Sequence, residues 1–156
     1  MTDDDLLLRA IELAETHCAD GIHGPFGAVV AREGEVVGQG WNQVVASSDP
    51  TAHAEVAAIR DAAARLGTHD LAGCTIYCSC EPCPMCLGAI YWAHIQRVVY
   101  ACTAQDARDA GFDDADIYGE MGRPWADRGI EGEQRLHERG LRVLESWAQN
   151  PKHVDY

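Results

Sequence analysis

Two short segments of this 156-residue sequence carry side chains that bind metals and move protons. The first is His53-x-Glu55, and the second is CSCEPCPMC at residues 78–86, which holds four of the seven cysteines. One imidazole and the thiolates of Cys83 and Cys86 give zinc three protein ligands, which leaves the fourth tetrahedral position for water. Glu55 is then placed to take a proton from that water and return it to a substrate. The pattern predicts a catalytic site with one Zn2+ per subunit.

The cysteine cluster has other interpretations that the spacing alone leaves open. Cys83-x-x-Cys86 is also the spacing of a redox pair, and Cys78 and Cys80 are able to complete a closed four-cysteine cage around a structural zinc. A structural zinc would fit a protein interaction module instead of an enzyme. However, residues two apart on a strand point to the same face, and a cage leaves His53 and the nearby acid unexplained. We therefore expect no metal contact from Cys78 or Cys80.

The elements around both segments are predicted to place the ligands at helix starts. The alanine-rich run after Thr51 predicts a helix that ends at Gly67, and residues 82–93 predict a second helix with Pro84 in its first turn. Residues 75–79 and 97–103 are rich in β-branched and aromatic side chains, which indicates strands. The positive end of a helix dipole favours a thiolate over a thiol.

The remaining pattern predicts the fold class. Residues 3–20 have the apolar spacing of an amphipathic helix, and residues 24–42 form a hairpin around a short turn at Arg32-Glu33-Gly34. Strands separated by helical crossovers indicate parallel pairing and a sheet that is covered on both faces. We predict a three-layer α/β/α fold with a mixed sheet, an amino-terminal hairpin and later parallel strands. Residues 1–156 are expected to form a single domain.

Composition limits the partners and the compartment. With 12 basic and 25 acidic residues the net charge is −13, and no basic run supplies the phosphate contacts of a nucleic-acid-binding protein. We therefore expect a small uncharged substrate. No stretch approaches the roughly 20 apolar residues of a membrane span. The acidic start MTDDD is unlike a secretory signal, which predicts a reducing cytoplasm where clustered cysteines bind metal.

The paired half-motifs HxE and PCxxC are the signature of the zinc deaminases, and the chain resembles the cytidine-deaminase-like superfamily. Within that superfamily, several further segments are similar to those of the bacterial guanine deaminases. These segments are GPFGA at 24–28, Asn42, DPTAHAE at 49–55, SCEPCPMCLGAIYWA at 79–93, AGFDD at 110–114 and a terminal Tyr156.

This resemblance implies hydrolysis of guanine to xanthine and ammonia. It also implies a set of substrate-binding residues: an amide and a carboxylate that read the purine edge, two aromatic walls, and a hydroxyl that closes over the base. In this sequence they are Asn42, Asp114, Phe26, Trp92 and Tyr156, in that order. The same chemistry on guanosine, on cytosine or on a triazine stays open, whereas the charge disfavours a tRNA substrate.

The resemblance further implies a homodimer in which the carboxy-terminal segment, about residues 141–156, is exchanged between subunits. The helix predicted in LRVLESWAQN, followed by Pro151 and a short tail, permits such an exchange. Residues 121–139, MGRPWADRGIEGEQRLHER, match no motif of the family.

Overall fold

The computed structural model describes residues 1–155, without the side chain of Ala115, and it divides into two compact units. The units are Met1–Ala115 and Asp116–Tyr156. Tyr156 itself lies outside the described residues. The single domain expected for 1–156 stays a prediction.

A four-stranded mixed sheet is the framework of the first unit. Its strands are β1 (Gly27–Arg32), β2 (Glu35–Trp41), β3 (Cys74–Cys80) and β4 (Arg97–Cys102). The spatial order is β2-β1-β3-β4, with β1 antiparallel to both neighbours and β3 parallel to β4. The predicted hairpin, the mixed sheet and the later parallel pair are therefore confirmed.

Helices cover both faces of this sheet. The first helix, α1 (Asp3–Cys18), packs Leu6 and Leu13 against Val29 of β1 on one face. Because side chains alternate along a strand, Val30 points to the other face, where it meets α3 (Ala54–Leu66) and α4 (Pro84–Trp92). A four-residue helix, α2 (Val44–Ser47), follows β2 and was not predicted. The three-layer α/β/α architecture is as expected.

Two glycines of β2 allow α3 to lie unusually close to the sheet. A methyl group added at Gly38 would come within 2.5 Å of the carbonyl oxygen of Ala58, and one added at Gly40 within 2.5 Å of that of Ala54. The face of α3 that packs against these glycines carries alanines, among them the fully buried Ala62. Small residues on both sides therefore fix the position of α3, whose first turn carries His53-x-Glu55.

The rest of the first unit contains α5 (Ala104–Asp109). Thr103 and Asp106 form a reciprocal capping box at the start of this helix. The second unit contains most of α6 (Ala115–Met121), one 3-10 turn (Trp125–Asp127) and α7 (His137–Ala148). Within it, the Arg128 guanidinium lies 4.3 Å from the centre of the Trp125 ring. In the described part of the chain, no helix has both the length and the apolar character that crossing a membrane requires.

Candidate active site

The three predicted metal ligands meet where two helices begin. His53 is the N-cap residue of α3, and Cys83 is the N-cap residue of α4, with Pro84 at the first helical position. Cys86 lies three residues after Cys83 and is fully buried. Both helices begin at the same end of the sheet, so their N-terminal N–H groups and dipoles stabilise negative charge at this point.

The spacing of the ligand atoms fits zinc. Nδ1 of His53 lies 3.5 Å from Sγ of Cys83 and 3.5 Å from Sγ of Cys86, and all three ligand atoms lie within 4.8 Å of one another. A tetrahedral zinc, with bonds of about 2.3 Å to sulfur and 2.0–2.1 Å to nitrogen, holds S and N about 3.5–3.6 Å apart. One imidazole and two thiolates are also the ligand types that zinc prefers. The residues present therefore fit a zinc ion with three protein ligands.

The two thiols of this cluster differ in charge. The pKa of Cys83 is lowered to about 4 because the Cys86 thiol donates a hydrogen bond to its sulfur, and His53 adds a further hydrogen bond. Donation to Cys83, together with burial, raises the pKa of Cys86. The hydrogen bond with Cys83 also raises the pKa of His53. The hydrogen bonds around Cys83 therefore favour its thiolate form, which is the form that binds a cation.

Glu55 is a buried carboxyl group beside these ligands. Only 8% of the residue is exposed, and it lines the same cavity as His53 and Cys83. Burial raises its pKa, and the negative charge of Cys83 adds to this effect. A carboxyl group with a raised pKa at a water-activating site is suited to both accepting and returning a proton.

A cavity of about 620 Å³ opens above this cluster, and the residues on its wall come from four parts of the first unit. The loop after α1, the segment after β2, the start of α3 and the chain from 80 to 114 all contribute to it. Three of the predicted substrate-binding residues line this cavity: Phe26, Asn42 and Asp114.

Asn42 is held by its backbone surroundings. It is 8% exposed, and its Oδ1 atom accepts hydrogen bonds from the N–H groups of Gly24 and Val44, each at 3.3 Å. The amide oxygen therefore fixes the side chain in place. Its NH2 group is left to donate to an acceptor in the cavity.

Phe26 is part of an aromatic corner that sequence reasoning described only in part. Its ring meets Phe112 edge-to-face, with the centres 4.9 Å apart and the planes at 83°. Phe112 was not predicted as a wall, although it belongs to the AGFDD motif. Asp114 follows it, and burial raises the pKa of Asp114, with the charge of Cys83 adding to the effect.

One predicted pocket residue is not brought to this cavity, and a second lies outside the described residues. Trp92 is the last residue of α4, with 67% of the residue exposed, and it does not line the cavity. Nine residues separate it from Cys83, which is about 13 Å along a helix axis. Its role as a wall stays a prediction, as does that of Tyr156, which lies outside the described residues.

The other two cysteines of CSCEPCPMC are strand residues. Cys78 and Cys80 both lie in β3, and neither belongs to the ligand group formed within the described chain. Burial raises the pKa of both thiols, that of Cys80 to about 11. The Cys80 thiol donates to the carbonyl oxygen of Thr103 at 3.5 Å. Within the described residues, the group of close ligand atoms therefore consists of His53, Cys83 and Cys86 without either strand thiol.

Comparison with known proteins gives the same family from sequence and from structure. The model of the cytidine and deoxycytidylate deaminase zinc-binding region matches residues 1–102. Guanine deaminase of Bacillus subtilis is 46% identical over 156 residues, which is all of both chains. An X-ray structure of guanine deaminase from Bacillus subtilis superposes with a TM-score of 0.96, covering 100% of this chain and 99% of that one.

More distant relatives extend the comparison. A solved structure of guanine deaminase from Nitrosomonas europaea is 30% identical with a TM-score of 0.68, covering 91% of this chain and 72% of that one. The tRNA-specific adenosine deaminase of Haemophilus influenzae is 39% identical over 102 residues, which are 65% of this chain and 58% of the relative. The predicted family and fold are therefore confirmed: the chain belongs to the zinc-binding deaminases of the cytidine and deoxycytidylate deaminase family.

Proposed function

We propose that this enzyme hydrolyses guanine to xanthine and ammonia. The observation that carries the proposal is the extent of the match to Bacillus subtilis guanine deaminase, which spans both chains from end to end. The matched span therefore covers the segments that carry the cavity wall as well as those that carry the zinc motif. The match to a tRNA-specific adenosine deaminase covers only 65% of this chain.

The zinc site has a defined part in this reaction. His53, Cys83 and Cys86 would hold the ion, and zinc would supply Lewis acidity that lowers the pKa of water to about 7. The chain adds the positive ends of two helices behind the thiolates, which support negative charge at the reacting oxygen.

Glu55 moves the protons. Its carboxylate takes a proton from water as the oxygen bonds to C2 of guanine, and it gives that proton to the adjacent ring nitrogen. It then carries the second proton of the same water to the exocyclic amine as the C2–N bond breaks. Both protons of the water are thereby accounted for, and ammonia and xanthine are the products. The raised pKa that burial gives Glu55 supports both directions of transfer.

The cavity wall recognises the base in this proposal. The NH2 group of Asn42 donates to a ring nitrogen or carbonyl acceptor, and the Asp114 carboxylate accepts an N–H of the purine edge. Phe26 packs on the flat ring, and Phe112 supports it from the side. A base that presents an acceptor to Asp114 leaves a partly buried carboxylate without its hydrogen bond, which costs about 1–3 kcal/mol.

The assembly completes the proposal. We infer a homodimer in which residues 141–156 are exchanged, so that Tyr156 closes the pocket and Trp92 adds a wall there. The amphipathic sequence of α7 supports such an exchange, with Leu141, Leu144 and Trp147 at helical spacing. Cytoplasmic localisation is supported by the cysteines, all seven of which are free thiols.

A panel assay tests the substrate. The zinc-loaded enzyme is given guanine, guanosine, adenine, cytosine and cytidine, and ammonia release is measured for each. We expect the highest kcat/KM for guanine, with xanthine as the product. A higher kcat/KM for any other member of the panel would replace guanine as the substrate.

Deletion of the last two residues tests whether Tyr156 closes the pocket. If it does, the deletion is expected to lower guanine turnover strongly.

A further inference from the structure

An aspartate and a histidine form a pair at the wall of the cavity that the reaction described above does not use. Nδ1 of His23 lies 2.7 Å from Oδ2 of Asp20. The other oxygen of the same carboxylate accepts the backbone N–H groups of Ile22 at 2.8 Å and of His23 at 3.0 Å. One carboxylate therefore fixes both the loop and the ring, and residues 21–24 of this loop line the cavity.

The His23 ring is also held from its other side. It meets the His17 ring edge-on, with the ring centres 6.0 Å apart. The His17 ring in turn stacks on Trp41, with the centres 3.7 Å apart and the planes within 2°. The His23 side chain is 20% exposed and the Asp20 side chain 45%, whereas Glu55 and Cys86 are buried. The pair is therefore nearer to solvent than Glu55 and Cys86 are.

The carboxylate determines which nitrogen of the ring carries the proton. The backbone N–H groups of His23 and Ile22 lower the pKa of Asp20 to about 2, so this group is ionised and only accepts hydrogen bonds. Nδ1 of His23 must then be the protonated nitrogen, and in the neutral ring Nε2 is a bare acceptor. Among residues 1–155, no hydrogen-bond partner is present for Nε2.

We propose that His23, oriented by Asp20, is a further substrate-binding residue whose Nε2 accepts the imidazole N–H of the purine base. This proposal rests on guanine as the substrate. C2, the carbon that loses its amine, must face the zinc ligands and Glu55. The imidazole ring is at the opposite end of the purine and therefore points toward the more solvent-exposed part of the wall, to which His23 belongs.

The chemistry of that end of the base makes His23 a specificity residue. Guanine has one N–H and one bare nitrogen in its imidazole ring. A nucleoside, or a base methylated at N7 or N9, has no imidazole N–H and leaves the acceptor of His23 unpaired. A site that hydrogen-bonds a donor discriminates against analogues that lack it, because its acceptor is then left unpaired. His23 would thus favour the free base over guanosine without any steric barrier.

Two variants separate this role from a structural one. His23→Phe keeps the ring and its edge contact with His17 but removes both nitrogens. Asp20→Asn keeps an oxygen for the two backbone N–H groups, while its NH2 group faces Nδ1 and forces the proton onto Nε2. The same exchange in a serine protease triad leaves the geometry intact and produces the wrong tautomer. In Asp20→Asn, Nε2 is therefore a donor instead of an acceptor.

The assay compares guanine with 7-methylguanine and 9-methylguanine at one fixed pH. We expect His23→Phe to lower kcat/KM for guanine about 3- to 10-fold, mainly through KM, and to change both methylated bases less than about twofold. Asp20→Asn should lower kcat/KM for guanine by a similar factor. It should raise kcat/KM for the methylated base that presents its bare nitrogen to His23. Because Asp20→Asn retains the ring, it tests the proposal even if His23→Phe fails to fold.

The control is a second aspartate–histidine pair outside the cavity. Asp70 and His94, 3.2 Å apart, do not line it, and Asp70→Asn should leave all three substrates unchanged. The proposal is wrong if the wild type is active and both test variants change kcat/KM for guanine and for the methylated bases by equal factors. It is also wrong if neither variant changes kcat/KM for any of the three substrates. Absence of guanine turnover in the wild type would instead overturn the proposed function. Calorimetric binding of hypoxanthine and 9-methylhypoxanthine, which have no exocyclic amine, then still tests His23.

Discussion

The close packing of α3 on β2 predicts that a single methyl group at Gly40 disturbs the zinc site. The added carbon would lie 2.5 Å from the carbonyl oxygen of Ala54, 2.5 Å from the nitrogen of Ala58 and 2.7 Å from Cβ of Ala57. Ala54 lies between His53, which we propose as a zinc ligand, and Glu55, which we propose as the catalytic base. Relief of this overlap must therefore move the part of α3 that carries both functional side chains.

The size of that movement follows from the contacts. A Cβ contact of 2.5 Å must lengthen to between 3.0 and 3.4 Å, so the start of α3 shifts by about 0.5–0.9 Å. Metal sites tolerate ligand displacements of only about 0.2 Å, and Cys83 and Cys86 are on a different helix that does not follow the shift. We expect Gly40→Ala to lower the free energy of unfolding by about 1–3 kcal/mol, zinc affinity by about 10- to 100-fold and kcat by up to about 100-fold.

Gly38→Ala is the matched control. Its added methyl group meets the carbonyl oxygen of Ala58 and the nitrogen of Ala62, one helical turn further from the ligands, at 2.5 and 2.6 Å. Both variants should lose similar stability in urea denaturation, but only Gly40→Ala should lose zinc in a competition titration with a chromophoric chelator. Equal zinc affinities in the two variants, or wild-type stability in Gly40→Ala, would refute this reasoning.

Three further predictions concern the catalytic base, the metal and a surface ion pair. Glu55→Gln should retain one zinc but lose at least about 100- to 10,000-fold in kcat, as seen by metal analysis and ammonia release; an active variant would exclude Glu55 as the base. Chelation should abolish deamination and leave the far-ultraviolet circular dichroism nearly unchanged, because a domain of this size has its own apolar core; cooperative unfolding would indicate a structural zinc. The hydrogen bond from Arg97 lowers the pKa of Asp3 from 3.8 to about 2, so the stability from this pair is complete above 3.8 and is lost as the pH falls toward 2. Arg97→Gln should therefore lose less stability than the wild type between about pH 5 and pH 2.5 in urea midpoints, and an equal loss would contradict the pairing.

Local patterns predicted most elements of the first unit. The apolar periodicity of α1, the alanine-rich α3 and the first-turn proline of α4 are properties of short windows of sequence. The antiparallel pairing of β3 with β1 was not predicted, because it depends on how distant parts of the chain are arranged in space and not on a short window of sequence. The four-residue α2 was also missed, since it is shorter than any periodic pattern that sequence reasoning detects.

The grouping of the three candidate zinc ligands was predicted for the same local reason, and the cavity wall was only partly predicted. His53 and Cys83 are both N-cap residues, so each half-motif carries its own positional signal. Phe112 and His23 reach the cavity only through the path of the chain between elements, which no local spacing encodes. The AGFDD motif was the available signal for Phe112, whereas no local pattern indicated that His23 reaches the cavity.

Zinc-dependent turnover of guanine tests the central conclusion most directly. The metal-free enzyme is titrated with zinc, and ammonia and xanthine from guanine are measured at each point. Activity is expected to rise linearly to a break at one zinc per chain, with equal amounts of the two products. Absence of ammonia release from guanine at every zinc concentration, or a break at a different ratio, would contradict a guanine deaminase with a single zinc held by His53, Cys83 and Cys86.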